Sequence, residues 1–195
     1  MNEVFGSKPL ADFLNERLKS AEKTAEAKTV DNLREDLTDI TPRVVVEITD
    51  KYSLQPLRMV APDSPGRPAI YHEHVVFSIE LSGSTELLNF KPDPIGEIPP
   101  EISRIGFGLA FSYPKPAEDK DYKAITEKLA EHIAIMREVL EGLREQVEKY
   151  NNSELPGRIR PILERTKQAR KEEDAIANKL IQEFNKRRGD KRTNY

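Results

Sequence analysis

Cysteine and tryptophan are absent from this chain of 195 residues, and histidine occurs three times. Without cysteine there is no disulfide, thiolate zinc site, iron–sulfur cluster or cysteine nucleophile, and a cytoplasmic setting is the expectation. No apolar run approaches the roughly 18 residues of a membrane span, and the opening MNEVFGSKPL has no apolar signal-peptide core. No membrane partner is expected. Phosphate-cradling G-x-x-x-x-G-K and the G-x-S-x-G nucleophile elbow are also missing. Hydrophobic residues reach 37% and charged residues 33%, against about 45–50% and 25% in an average globular chain. Such a chain can build a core, but a modest one.

What is present is unevenly distributed. Net charge is −3, yet residues 156–195 carry 12 Lys and Arg against 6 Asp and Glu. The last ten residues hold Lys186, Arg187, Arg188, Lys191 and Arg192. A basic carboxyl end of this kind fits contact with nucleic acid or an acidic protein. It equally fits a solvated helix end, where cations complement the helix dipole. Those five residues are the candidate nucleic-acid-binding set. Acidic residues interrupt the basic ones upstream (Glu164, Glu172, Glu173, Asp174, Glu183), so sequence-specific readout has no signature.

Periodicity predicts an α+β chain. Leu10, Phe13, Leu14, Leu18 and Ala21 follow Pro9 at helical spacing, and Leu33 and Leu37 mark a short second helix within 29–39. Residues 42–52 read as helix from Thr41-Pro42 and the shared face of Val45, Ile48 and Tyr52, against a run of β-branched residues that favours a strand. An extended stretch at 54–60 is followed by the proline-rich loop 61–68. From 69 to 81, Tyr71, Val75, Phe77, Ile79 and Leu81 alternate with His72, His74, Ser78 and Glu80, as in a half-buried strand. A second strand is read from Ile105 to Tyr113, with Gly106, Gly108, Ala110 and Ser112 as its small face. Beyond it, Ile125, Leu129, Ile133, Met136, Leu140, Leu143, Val147 and Tyr150 define one long amphipathic helix. After Asn151-Asn152-Ser153, Ile159, Leu163, Ala169, Ile176, Leu180 and Phe184 define another.

The fold expected is therefore amino-terminal helices, a small antiparallel β-sheet and a long carboxy-terminal antiparallel helical hairpin packed on that sheet. The parts are a helical region at 1–60, a continuous core of sheet and hairpin at 61–195, and a basic tail at 187–195. A two-stranded sheet is marginal alone, so a further strand from 54–60 or from a second copy is expected.

Few residues carry chemistry. His72 and His74 share one face of the predicted strand and could approach one metal ion, but Glu80 lies roughly 20 Å beyond along a strand and no third ligand is nominated. No metal or other cofactor is expected. His132 sits beside Leu129 and Met136 and reads as a satisfied core residue. Gly106-Phe107-Gly108 lacks the third glycine of a dinucleotide loop. No catalytic residue emerges, and the chain is not read as an enzyme.

The run HVVFSIELSGSTELLNFKPDP at 74–94, Pro99-Pro100, and the helix ending Val147-Glu148-Lys149-Tyr150-Asn151 before Leu155-Pro156 resemble a family of uncharacterised bacterial proteins. The resemblance extends to Lys51-Tyr52-Ser53-Leu54-Gln55-Pro56-Leu57 and to the Phe184-Asn185-Lys186-Arg187-Arg188 region. In larger members the module resembles the front half of a protein whose back half is a restriction-endonuclease-like domain. The expectation is that this chain lacks that half, since it carries no acid–acid–lysine site. The resemblance implies an accessory module of a nuclease-linked or antiviral defence system, acting beside a separate effector as protein partner, while a helical seam longer than so small a sheet can cover suggests self-association. Two other readings remain: nonspecific nucleic-acid binding through the basic end, and a metal-dependent enzyme using His72 and His74.

Overall fold

A computed structural model describes residues 4–31, 37–93, 95–117 and 119–190. The chain is α+β, with a small antiparallel sheet and long helices. It divides into two compact units, Met1–Leu18 with Ser53–Glu154, and Lys19–Tyr52 with Leu155–Tyr195. Neither unit is continuous in sequence.

The first unit holds the sheet. Strand β1 (Lys8–Pro9) pairs in parallel with β5 (Phe90–Lys91). The larger sheet has the order β2 (Arg58–Met59), β4 (His74–Ser82), β7 (Gly108–Pro114), β6 (Ile102–Ile105), with β3 (Ala69–Ile70) also pairing with β4. The extra strand expected from 54–60 is thus β2, antiparallel to the end of β4 through Arg58↔Ser82 and Met59↔Leu81. Gly83 makes that end workable. At φ +110° it occupies backbone space that side chains avoid, and a Cβ there would lie 2.4 Å from the Pro56 carbonyl oxygen. Ser84 then exchanges two bonds with Gln55: its N–H donates to the Gln55 carbonyl, and its hydroxyl accepts from the Gln55 N–H.

Two strands differ from expectation. The stretch 69–81 is interrupted by a tight turn, closed by the Tyr71 N–H donating to the His74 carbonyl. The stretch 105–113 is a hairpin, β6 turning into β7 at Gly106-Phe107, with Gly106 at φ +55°. Ile105 and Phe107 are consequently exposed, while Leu109, Phe111 and Tyr113 are buried. Gly108 allows close strand approach, since a Cβ there would meet the Ile79 carbonyl oxygen at 2.6 Å.

Helix α3 (Asp119–Lys149) packs on this sheet. Leu129, Ile133, Met136, Leu140, Leu143 and Val147 are all buried, one stripe at the 3.6-residue period. A single π turn, Tyr150–Glu154, follows it. There the Asn151 side chain imitates a backbone: its amide donates to the Leu54 carbonyl at 2.7 Å, and its oxygen accepts from the Leu54 N–H at 3.0 Å.

The second unit is helical. Helix α1 (Leu10–Asp31) begins in the first unit and gives the second its later turns, where Ala21 and Ala25 are fully buried. Helix α2 (Leu37–Tyr52) settles 42–52 as helix, starting before Thr41 and containing Pro42. Part of the short helix read at 29–39 lies outside the described residues. Helix α4 (Leu155–Asp190) groups with α2 in this unit. Val44, Val45, Ile48, Leu155, Ile159 and Leu163 are buried. Thr24 and Tyr52 hydroxyls bond at 2.7 Å, Lys28 pairs with Glu47, and Arg158 lies 3.6 Å from Glu22.

Candidate interaction surface

The histidines separate into two kinds. His72 is in the turn before β4 and His74 is its first residue, both exposed, so they do not share a strand face as expected. Among the described residues, no group of three or more His, Asp or Glu is placed to hold a metal ion. His132 is buried, as its neighbours foretold, and its Nδ1 lies 2.9 Å from the Tyr113 hydroxyl. The rings stack at 5.7 Å. Burial, aided by the Glu101 charge, pushes the Tyr113 hydroxyl well above its ordinary range. The Glu101 carboxyl is held low by its own backbone N–H and by Lys128, 3.6 Å away. Closed inside the core, Tyr113 and His132 fix α3 on β7 and offer no access to a substrate.

Two concave surfaces are open to solvent. A groove of about 820 Å³ is floored by Leu57, Met59 and Leu140. Of its lining arginines, Arg137 pairs with Asp63 and Arg144 with Glu141 and Glu148. A smaller one of about 500 Å³ runs past Phe5, Ile95, Pro99 and Pro100. Neither gathers convergent polar groups that would orient a reactant.

Helix α4 is different. Its first turns are anchored by Leu155, Ile159 and Leu163, but every residue from Lys171 to Lys186 is exposed. On that stretch Ile176, Leu180, Ile181 and Phe184 are 59%, 66%, 57% and 61% exposed. Spacing of four places Ile176, Leu180 and Phe184 along one side of the helix. Their spacing predicts a buried hairpin seam, but in the structure these residues are exposed. A warning was visible: Arg170, Lys171, Glu172, Glu173 and Asp174 cut the second half of the stripe from the first. Ile181 was not singled out at all.

Of the predicted basic set, Lys186 is exposed on α4, 3.0 Å from Glu183, and Arg187 and Arg188 occupy helical positions beyond it. Lys191 and Arg192 lie outside the described residues. Among the described residues, no helix is long and apolar enough to cross a membrane. Comparison of the chain with protein-family models, curated proteins and solved structures finds no match in any of the three.

Proposed function

We propose that this chain is a non-enzymatic interaction module whose binding element is the second half of α4. The observation that carries the reading is the exposed stripe of Ile176, Leu180, Ile181 and Phe184. Large apolar side chains clustered on one exposed face mark contact sites more often than scattered ones do. The setting as an accessory to a nuclease-linked or antiviral defence system is supported by the resemblance carried by residues 74–94 and 147–156. A cytoplasmic location fits the absence of cysteine.

The test is affinity capture with the full chain and with an Ile176→Glu/Leu180→Glu variant, each after nuclease digestion. Partners, a second copy included, stay with the wild type and leave the variant. A variant that keeps every partner of the wild type refutes the reading.

A second reading, nonspecific nucleic-acid binding, is supported by the basic residues closing α4. It requires duplex affinity that falls steeply with salt and vanishes when Lys186, Arg187, Arg188, Lys191 and Arg192 are neutralised. Affinity indifferent to salt removes it.

A further inference from the structure

Resting on the interaction-module reading, we infer that the partner of the α4 stripe is a second copy of this chain, docked antiparallel about a two-fold axis through Leu180.

The register follows from what α4 places on one side. Positions 173, 177, 180, 184 and 187 are spaced 4, 3, 4 and 3, the heptad step of a two-helix seam. All lie within the helix, which continues to Asp190. Its centre is apolar (Ala177, Leu180, Phe184, with Ile176 beside them) and its ends are charged, acidic at Glu173 and basic at Arg187. Each end is seven residues from Leu180, so both return to its side of the helix within about 20°.

Charge decides the direction. In a parallel pair, Glu173 would face Glu173, and Phe184 would crowd Phe184. Antiparallel pairing centred on Leu180 sets Glu173 of each copy against position 187 of the other, at both ends of the seam. It also sets Ile176 of one copy against Phe184 of the other, and Leu180 against its own equivalent. Lys179 and Glu183 fall on one flank, so Lys179 of each copy comes beside Glu183 of its partner. Such a surface is self-complementary, which is the requirement of a two-fold interface. Acidic residues around the stripe (Glu172, Glu173, Asp174, Glu183) argue against an anionic lipid surface as its cover.

The seam from 173 to 187 is about 21 Å long. So short a contact falls below the area of a standard permanent interface, and the dimer expected is reversible, forming at micromolar concentration.

The absence of cysteine makes the register directly readable. Three full-length variants, Ile176→Cys, Leu180→Cys and Phe184→Cys, are oxidised alone and in mixtures at micromolar concentration. Leu180→Cys should cross-link to itself. Ile176→Cys and Phe184→Cys should cross-link to each other far more than each to itself. In sedimentation equilibrium, Glu173→Arg should weaken self-association about tenfold by opposing like charges twice, and Glu173→Arg/Arg187→Glu should restore it. Glu173, Ile176, Leu180 and Phe184 are exposed positions of α4, and an unchanged melting temperature certifies the fold.

Equal self-cross-linking by all three cysteine variants would overturn the antiparallel register. A wild-type chain that stays monomeric at about 100 µM, well above the range expected of a micromolar dimer, overturns self-pairing. If that monomer binds a different protein through Leu180, the interaction reading survives; if Leu180→Glu changes no binding at all, both fall.

Discussion

In α3, Leu129, Ile133, Met136, Leu140, Leu143 and Val147 step by three or four and every one is buried; in α4, Ile176, Leu180 and Phe184 step by four and remain about 60% exposed. Both stripes satisfy the same helical period. The first has a sheet to cover it, with Leu109, Phe111 and Tyr113 of β7 buried beside it. Residues 171–186 of α4 are all exposed instead. Periodicity thus states which face of a helix is apolar, while the neighbouring elements decide whether that face is core or contact surface.

Truncation at matching positions should break the comparison most sharply. Met136→Ala removes a fully buried side chain and should cost about 2–5 kcal/mol in urea unfolding. Leu180→Ala should change the same measurement, made on dilute monomer, by less than about 0.5 kcal/mol. Equal losses at both sites would mean that the α4 stripe is covered within one chain.

A smaller effect is expected from the polar anchor that α3 has. Tyr113→Phe strands the buried His132 Nδ1 and should cost about 1–3 kcal/mol. It should also alter the alkaline limb. The Tyr113 hydroxyl titrates higher folded than unfolded, so its stabilisation is complete below the unfolded value of about 10 and is lost as pH rises beyond it. Stability of the wild type should therefore decline more steeply above that pH than stability of Tyr113→Phe. Parallel curves would show that the hydroxyl ionises alike in both states.

The smallest expected effect is at the rim of the α3–sheet contact. The Glu101 carboxyl is held low mainly by its backbone N–H and then by Lys128. Its contribution is present above the ordinary carboxylate pKa and lost as pH falls through the lowered one. Glu101→Gln should flatten the acid limb of the stability curve slightly, and an unchanged limb would refute that assignment.

Much of the fold was legible because its elements are amphipathic in simple ways. Val75, Ile79 and Leu81 alternate as a one-sided strand should, and the α3 stripe runs the length of its helix. The β6–β7 turn was not legible, because Ile105, Phe107 and Leu109 continue an unbroken alternation through it. What reverses the chain there is the positive φ of Gly106, which hydrophobic spacing does not register. The same blindness merged β3 with β4 across His72-Glu73 and put His72, a turn residue, on one strand face with His74. The partner of α4 escaped for another reason. Its first turns group with α2, more than a hundred residues upstream, and one sequence carries no mark of so distant a pairing. His132 was read correctly because its nearest helical neighbours, Leu129 and Met136, are themselves core residues. The α4 stripe is legible from its spacing, and the charged break at 170–174 is where burial ends.

The discontinuity of the two units bears on how such a chain can be inherited. The polypeptide leaves one unit for the other after Leu18, after Tyr52 and after Glu154. A single crossover between two related genes therefore cannot exchange one unit without also carrying over a piece of the other. Exchanging the α4-bearing unit intact requires junctions at all three places, one of them inside the continuous helix α1. On the interaction reading proposed above, variation in partner choice should then accumulate by point substitution along residues 171–186, with the sheet-bearing unit left as a constant frame.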